Sequence, residues 1–161
     1  MILKLIELGT KVEDKASGIE GMLTHVQLCD QTVHYLFQPK GISPETGQPV
    51  KPDWITEDRV KGGKKIDMDI PMEILSTIVT DKASGYKGYV IALTRHINGC
   101  VHALVQAKGT VKATGNLIEP TDFDIRRLSG RKIPKLTQTQ KKKSEKKHPS
   151  PAGCPPCRPR M

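Results

Sequence analysis

Aromatic residues are scarce: three Tyr, two Phe and one Trp in 161 residues. Single-stranded nucleic acid is gripped by stacking successive bases on aromatic side chains. Tyr35, Phe37, Trp54, Tyr86, Tyr89 and Phe123 sit mostly at alternating positions that read as core, so they make a poor stacking platform. There is no apolar run of about eighteen residues, and the opening MILKLIEL is broken by Lys4 and Glu7 and followed by no small-residue cleavage site. A soluble, unexported protein without membrane contact is expected. The phosphate cradles GxGxxG and GxxxxGK[ST] are missing, as are HExxH and GxSxG, and no paired nucleophile and base stands out. No enzymatic activity and no cofactor are expected. Helical periodicity is also lacking.

Acid is absent from one end. Residues 1–128 hold 16 Lys/Arg and 16 Asp/Glu, whereas 129–161 hold 10 Lys/Arg and only Glu145, so the formal charge of +9 resides in the tail. Within the tail, Lys141, Lys142, Lys143, Lys146 and Lys147 are candidates for contacting phosphates or an acidic protein surface without reading sequence, a contact that salt would weaken steeply. KKKSEKKHPSPAGCPPCRPRM has no aromatic and almost no aliphatic residue, and is expected to lack order in isolation. Its Cys154 and Cys157 form a CxxC, half a zinc site, but no second CxxC accompanies it. They are weak metal candidates beside two other readings, reduced surface thiols and a disulfide to a neighbouring subunit.

What the chain does have is a duplication. DKASGIEG at 14–21 returns as DKASGYKG at 81–88, and VHYLFQPKG at 33–41 returns as VHALVQAKG at 101–109. The offsets are 67 and 68, so two long matches in the same order differ by one residue of slack. The repeated unit is a small supersecondary module. So small a unit buries little of its surface alone, and the copies are expected to pack on each other or on a partner.

Both copies read as short strands. The first predicts Thr10–Asp14, Ile19–Val26 and Thr32–Gln38; the second predicts Thr77–Asp81, Tyr86–Thr94 and Cys100–Gln106. In the turns, Asp14 with Ser17 and Asp81 with Ser84 are placed to bond backbone amides, and Gly18 and Gly85 supply positive φ. Asp14, Lys15, Asp81 and Lys82 are read as turn acceptors and solvated charges. Gly21 and Gly88, inside the next strand, predict a bulge or sharp coil that curls the sheet. His34 and His102 recur and read as half-buried imidazoles supporting the sheet. The fold class expected is all-β: two tandem small β-barrels, residues 1–60 and 75–128, with a basic, Pro-rich arm at 129–161. The linker at 61–74 is read as a flexible joint, KGGKK, followed by Ile66–Pro71, which alternates and is able to add a strand to either barrel.

Each VHxLxQxKG strand opens into a long polar loop, 40–52 and 108–120. Loops of this length on tiny scaffolds are often contact surfaces. Ile42, Pro44, Gln48, Pro52 and Trp54 in the first copy and Val111, Asn116 and Pro120 in the second are the candidate partner-binding residues.

The string G-x-K-V-x-D-K-x-S-G-x-x-G, present as Gly9 to Gly21, resembles small proteins of tailed bacteriophages. Asn98-Gly99-Cys100 and the closing Trp54-Ile55-Thr56-Glu57-Asp58-Arg59-Val60 extend the likeness. It covers about two-thirds of the chain and none of the tail. Ser76 and Ile78 replace the opening glycine and lysine in the second copy. The turn-and-glycine start is also similar to KOW and Tudor-type, SH3-like barrels, which act as adaptors. The resemblance implies a virion-associated structural protein that decorates or joins other phage subunits in a homo- or hetero-oligomeric assembly, located in the virion and, during assembly, in the host cytoplasm. The competing expectation is a nucleic-acid-binding or regulatory phage protein acting through its Lys-rich tail; a third is an inhibitor of a host defence component.

Overall fold

The computed structural model describes residues 1–30 and 32–133, and Lys141, Lys142, Lys143, Lys146, Lys147, Cys154 and Cys157 lie outside them. Among the described residues the protein is all-β, with three single-turn 3-10 segments and no α-helix. The strands are β1 (Ile2–Ile6), β2 (Lys11–Asp14), β3 (Glu20–Cys29), β4 (Thr32–Pro39), β5 (Asp53–Thr56), β6 (Val60–Lys61), β7 (Lys65–Asp69), β8 (Ile78–Asp81), β9 (Lys87–His96), β10 (Val101–Ala107), β11 (Thr121–Asp124) and β12 (Leu128–Ser129).

Pairing follows the duplication. In the first copy the order is β6-β2-β3-β4-β5 and in the second β12-β8-β9-β10-β11, every pair antiparallel. A 3-10 turn, Glu57–Arg59 or Ile125–Arg127, connects the fourth strand of each copy to its fifth. Buried and exposed positions alternate along β2 and β8, the period-2 pattern of strands with one face on a core.

The two copies are not separate sheets. β3 runs to Cys29 and β9 to His96, further than the sequence pattern marks, because their C-terminal halves pair with each other: His25 opposite His96, Val26 opposite Arg95, Gln27 opposite Thr94 and Leu28 opposite Leu93. Gln27 and Thr94 are equivalent positions of the repeat, and the Gln27 amide donates to the Thr94 hydroxyl at 3.3 Å. A pseudo-two-fold axis therefore passes between them. Beyond this ladder, one at each end, the N-terminal halves of β3 and β9 bond β2 and β8. Leu23, Val26, Leu28, Val90 and Leu93 join one hydrophobic cluster that draws on both copies.

Residues 61–70 are not a loose joint. The alternating segment does make a strand, Lys65–Asp69, but β7 pairs with β1 rather than with either repeat, forming a separate two-stranded sheet. Met68 and Ile70 are buried from β7 and its end, Leu5 and Ile6 from β1. The Ile6 amide donates to the buried Tyr35 hydroxyl at 3.0 Å, and burial lifts that phenol to about 12. Gly63 has φ +82, and a Cβ there would lie 2.6 Å from Ile6 Cγ2, so the glycine pair turns tightly under packed side chains.

Gly21 and Gly88 serve close approach, not a bulge. A Cβ on Gly21 would fall 2.4 Å from the Gln38 carbonyl, and one on Gly88 2.3 Å from that of Gln106. The register shifts lie further along, at Thr24 and, equivalently, Ile91.

Candidate functional site

Three arrangements stand out, the first two built from residues the duplication keeps. The first is the Asp-Lys-Ala-Ser-Gly turn. Asp14 and Asp81 accept from the turn amides of Ser17 and Ser84 at 3.2 and 2.9 Å, as expected of turn acceptors, but at 2% and 0% exposure they are buried and not solvated. Asp14 accepts from Arg59 Nε at 3.0 Å and Nη2 at 2.7 Å, and from the Ser17 hydroxyl at 2.7 Å. Asp81 accepts from Arg127 at 3.0 and 2.8 Å and from the Ser84 hydroxyl at 2.6 Å. Two parallel N–H bonds to one carboxylate are a strong charge-assisted contact. The Arg59 and Ser17 bonds hold Asp14 far below the usual carboxylate range; the Ser84 and Arg127 bonds hold Asp81 at about 2. Lys15 and Lys82 donate to the carbonyls of Asp58 and Arg126, tying the same turn to the same 3-10 segment. Gly18 and Gly85 have φ +69 and +74, as expected. This lock is structural: it fastens the start of each repeat to its end. Sequence reading missed Arg59 and Arg127, although arginine stands at the matching place in both copies.

The second arrangement is the pair of loops. In the first, Ile42 bridges Pro49 and the Ser43 amide donates to the Gln48 carbonyl; in the second, Thr110 bridges Leu117 and the Val111 amide donates to that of Asn116. Gly47 and Gly115, φ +65 and +70, close the two turns alike. Gln38 donates to the Val50 carbonyl at 2.6 Å and Gln106 to that of Ile118 at 2.5 Å, so the shared glutamine braces each loop against its strand. Of the candidate partner-binding residues, Ile42, Pro44, Gln48, Pro52 and Trp54 are exposed, as are Val111, Asn116 and Pro120. Leu117, which sequence reading did not single out, is the most exposed large hydrophobic side chain among the described residues, at 73%. The loops are not brought together. Each starts beside the N-terminal end of β3 or β9, and these ends point in opposite directions from the axis. Along the ladder they are at most about 40 Å apart at 3.3 Å per residue.

The third lies to one side of the axis, two residues along the ladder, and occurs once. The His25 and His96 rings are 4.3 Å apart between centroids, and His96 and His102 are 4.4 Å apart. His25 Nδ1 is 2.8 Å from the Thr24 hydroxyl, and His102 Nδ1 is 2.6 Å from Asp122 Oδ2. His96 Nε2 is buried with no hydrogen-bond partner among the described residues. Desolvation, then the neighbouring imidazoles, push His25 below its ordinary 6.5; desolvation and His102 do the same to His96, opposed by Asp122 and Asp124. His34 and His102 are half-buried, as expected. Among the described residues no group of three ligands is placed to hold a metal ion, and no helix is long and apolar enough to cross a membrane.

The aromatics divide. Tyr35, Phe37 and Phe123 are buried core, whereas Trp54 and Tyr89 are 40% and 47% exposed.

Comparison with protein-family models, with curated proteins and with solved structures gives no match for this chain.

Proposed function

We propose that the chain is a non-enzymatic bridging protein: two tandem SH3-like, KOW-like barrels that join neighbouring subunits of a bacteriophage particle, as a decoration, cement or connector-type component. The observation that carries this reading is the loop pair: one braced loop occurs twice, each with an exposed large apolar side chain beside its turn, Ile42 or Leu117, at opposite ends of a shared ladder. Two equal contact points facing apart suit engagement of two copies of one partner, and linked sites of this kind gain avidity without new contacts. Two things favour the barrel assignment. Both copies share the strand order 5-1-2-3-4 with a 3-10 turn before the fifth strand, and in both a buried Asp held by a solvent-facing Arg fastens the first strand to that turn. On this reading residues 1–60 and 75–128 are the barrels, 61–74 the link and 129–161 a basic arm. The phage setting rests on the sequence resemblance.

Mass spectrometry of purified particles against infected-cell lysate tests the proposal. The chain is expected in the particle in fixed stoichiometry. Ile42→Asp and Leu117→Asp are each expected to lower its incorporation, and the double variant to abolish it. Particles that never contain the chain would sink the proposal.

The charge of residues 129–161 favours a second reading, attachment to nucleic acid through the arm. Deleting 129–161 and measuring DNA binding against salt decides it: negligible binding with and without the arm removes this alternative.

A further inference from the structure

Asn98-Gly99 lies in the turn between β9 and β10, and neither the Asp–Arg lock, the loops nor the imidazoles make use of it. Both residues are exposed. The Asn98 side-chain carbonyl accepts the Cys100 amide at 3.0 Å, which folds the carboxamide over the Gly99 peptide. A donor in that place stabilises the negative charge that develops on the oxygen when a nucleophile adds to Cγ. The nearest nucleophile is the Gly99 amide nitrogen, the next in the chain. Gly99 has no side chain to crowd the approach, and a Cβ built there would meet nothing within 4 Å. One contact opposes the reaction: the Gly99 amide donates to the His96 carbonyl at 2.8 Å, and the nitrogen has to leave that bond before it attacks. The second asparagine of the sequence, Asn116, precedes Leu117, whose branched side chain hinders the same approach.

We propose that Asn98 is a modification site, converted without an enzyme to aspartate and isoaspartate, and that the isoaspartyl form loosens the join between the two repeats. A solvent base removes the Gly99 amide proton, and the nitrogen forms a bond to Asn98 Cγ. The Cγ–Nδ2 bond breaks and, with a proton from water, ammonia leaves. A cyclic imide remains, which one water molecule opens. Cleavage of the new bond gives aspartate; cleavage of the original peptide bond gives isoaspartate, with the chain rerouted through Cβ and Cγ. Aspartate suits such a corner, since the corresponding turn of the first repeat holds Asp30 at φ +48. Isoaspartate adds a backbone carbon to a turn clamped on both sides: the His96 amide donates to the Cys100 carbonyl and the Ile97 amide to the Thr24 carbonyl, each at 2.9 Å. The second clamp joins the repeats beside the His25–His96 pair of the ladder.

Incubation of the full chain at mildly alkaline pH, followed by peptide mapping with fragmentation that resolves isoaspartate, tests this. The peptide spanning Asn98 is expected to exchange NH for O and to separate into two forms, aspartyl and isoaspartyl, while the peptide spanning Asn116 stays intact. Gly99→Ala, whose methyl group crowds the nucleophile, is expected to slow the conversion about tenfold, the effect of about 1.4 kcal/mol on the barrier. Asn98→Gln leaves the Gly99 backbone alone and is expected to abolish it, because its longer side chain closes a less favourable ring. Hydrogen exchange on the separated isoaspartyl chain is expected to show lost protection at Ile97. Conversion in urea but none in the folded chain would overturn the proposal, as the His96 bond would then close the site. An aspartyl product alone would overturn the imide route, conversion of Asn116 at the rate of Asn98 would remove the role of Gly99, and full protection at Ile97 would refute the loosening. No outcome depends on whether the chain occurs in a particle.

Discussion

Gly9 and Ser76 occupy the same place in the two repeats, each donating its amide across to the bulged strand, to Leu23 and Val90. Both are left-handed, φ +85 and +57, but only one is glycine. A side chain in that region costs about 1–2 kcal/mol, so Ser76→Gly is expected to stabilise the protein by about 1 kcal/mol, raising Tm by about 2–4 °C for a chain of this size. An unchanged or lower Tm would refute this. Gly88→Ala acts in the opposite direction. Its Cβ would meet backbone at 2.3 Å, so a loss of about 1–3 kcal/mol in a denaturant melt is expected. The Asp81 carboxylate, held at about 2 by Ser84 and Arg127 against an ordinary 3.8, contributes stability that is complete above the unfolded value and disappears as pH falls through the folded one. Arg127→Met should remove much of that acid-sensitive stability, whereas Lys82→Met, which forfeits only an exposed bond to a carbonyl, should leave the acid melt near its wild-type position.

At the level of elements, the β3–β9 ladder is the contact most exposed to pH. His25 and His96 face each other across it, and both titrate below 6.5 because their charged forms are disfavoured in the fold. The unfolded chain therefore binds more protons than the folded one just below 6.5. Stability falls as pH drops from 7 through that range and levels off below the folded values. Protection factors of the amides at 25–28 and 93–96, that is, exchange rates divided into the intrinsic rate at each pH, are expected to fall on going from about pH 7.5 to pH 5, and His25→Gln with His96→Gln to flatten the response. An equal loss of protection in wild type and double variant would exclude the imidazoles as its source. The first three strands of each copy and the glycine turn between the first two were legible in the sequence because alternation and glycine placement are local, whereas β1, β5, β6, β11 and β12, short or outside the repeat, were not. The joining of the copies was not. Nothing in the pattern of β3 distinguishes a half that pairs with its own repeat from a half that pairs with the other. Arg59 and Arg127 escaped notice for a similar reason: they act 45 and 46 residues from the carboxylates they hold. The loops were recognised as surfaces by their length, but their bracing by Gln38 and Gln106 depends on contacts that length does not reveal.

For the whole molecule, one apolar cluster drawing on both copies predicts one cooperative transition. Calorimetry should return equal calorimetric and van't Hoff enthalpies; two resolved peaks would mean that the repeats melt independently. Leu93→Ala, at a fully buried position on the shared ladder, is expected to cost about 2–5 kcal/mol and to lower that single transition without splitting it.

The equivalence of Gln27 and Thr94 across the axis has a consequence for what such a chain can become. Two unlinked identical subunits meeting in this way would have to carry every feature twice, a cleft on both or a protrusion on both. Covalent fusion lifts that restriction: with the tether keeping the halves at high effective concentration, each is free to drift, and a symmetric frame gains a distinguishable left and right.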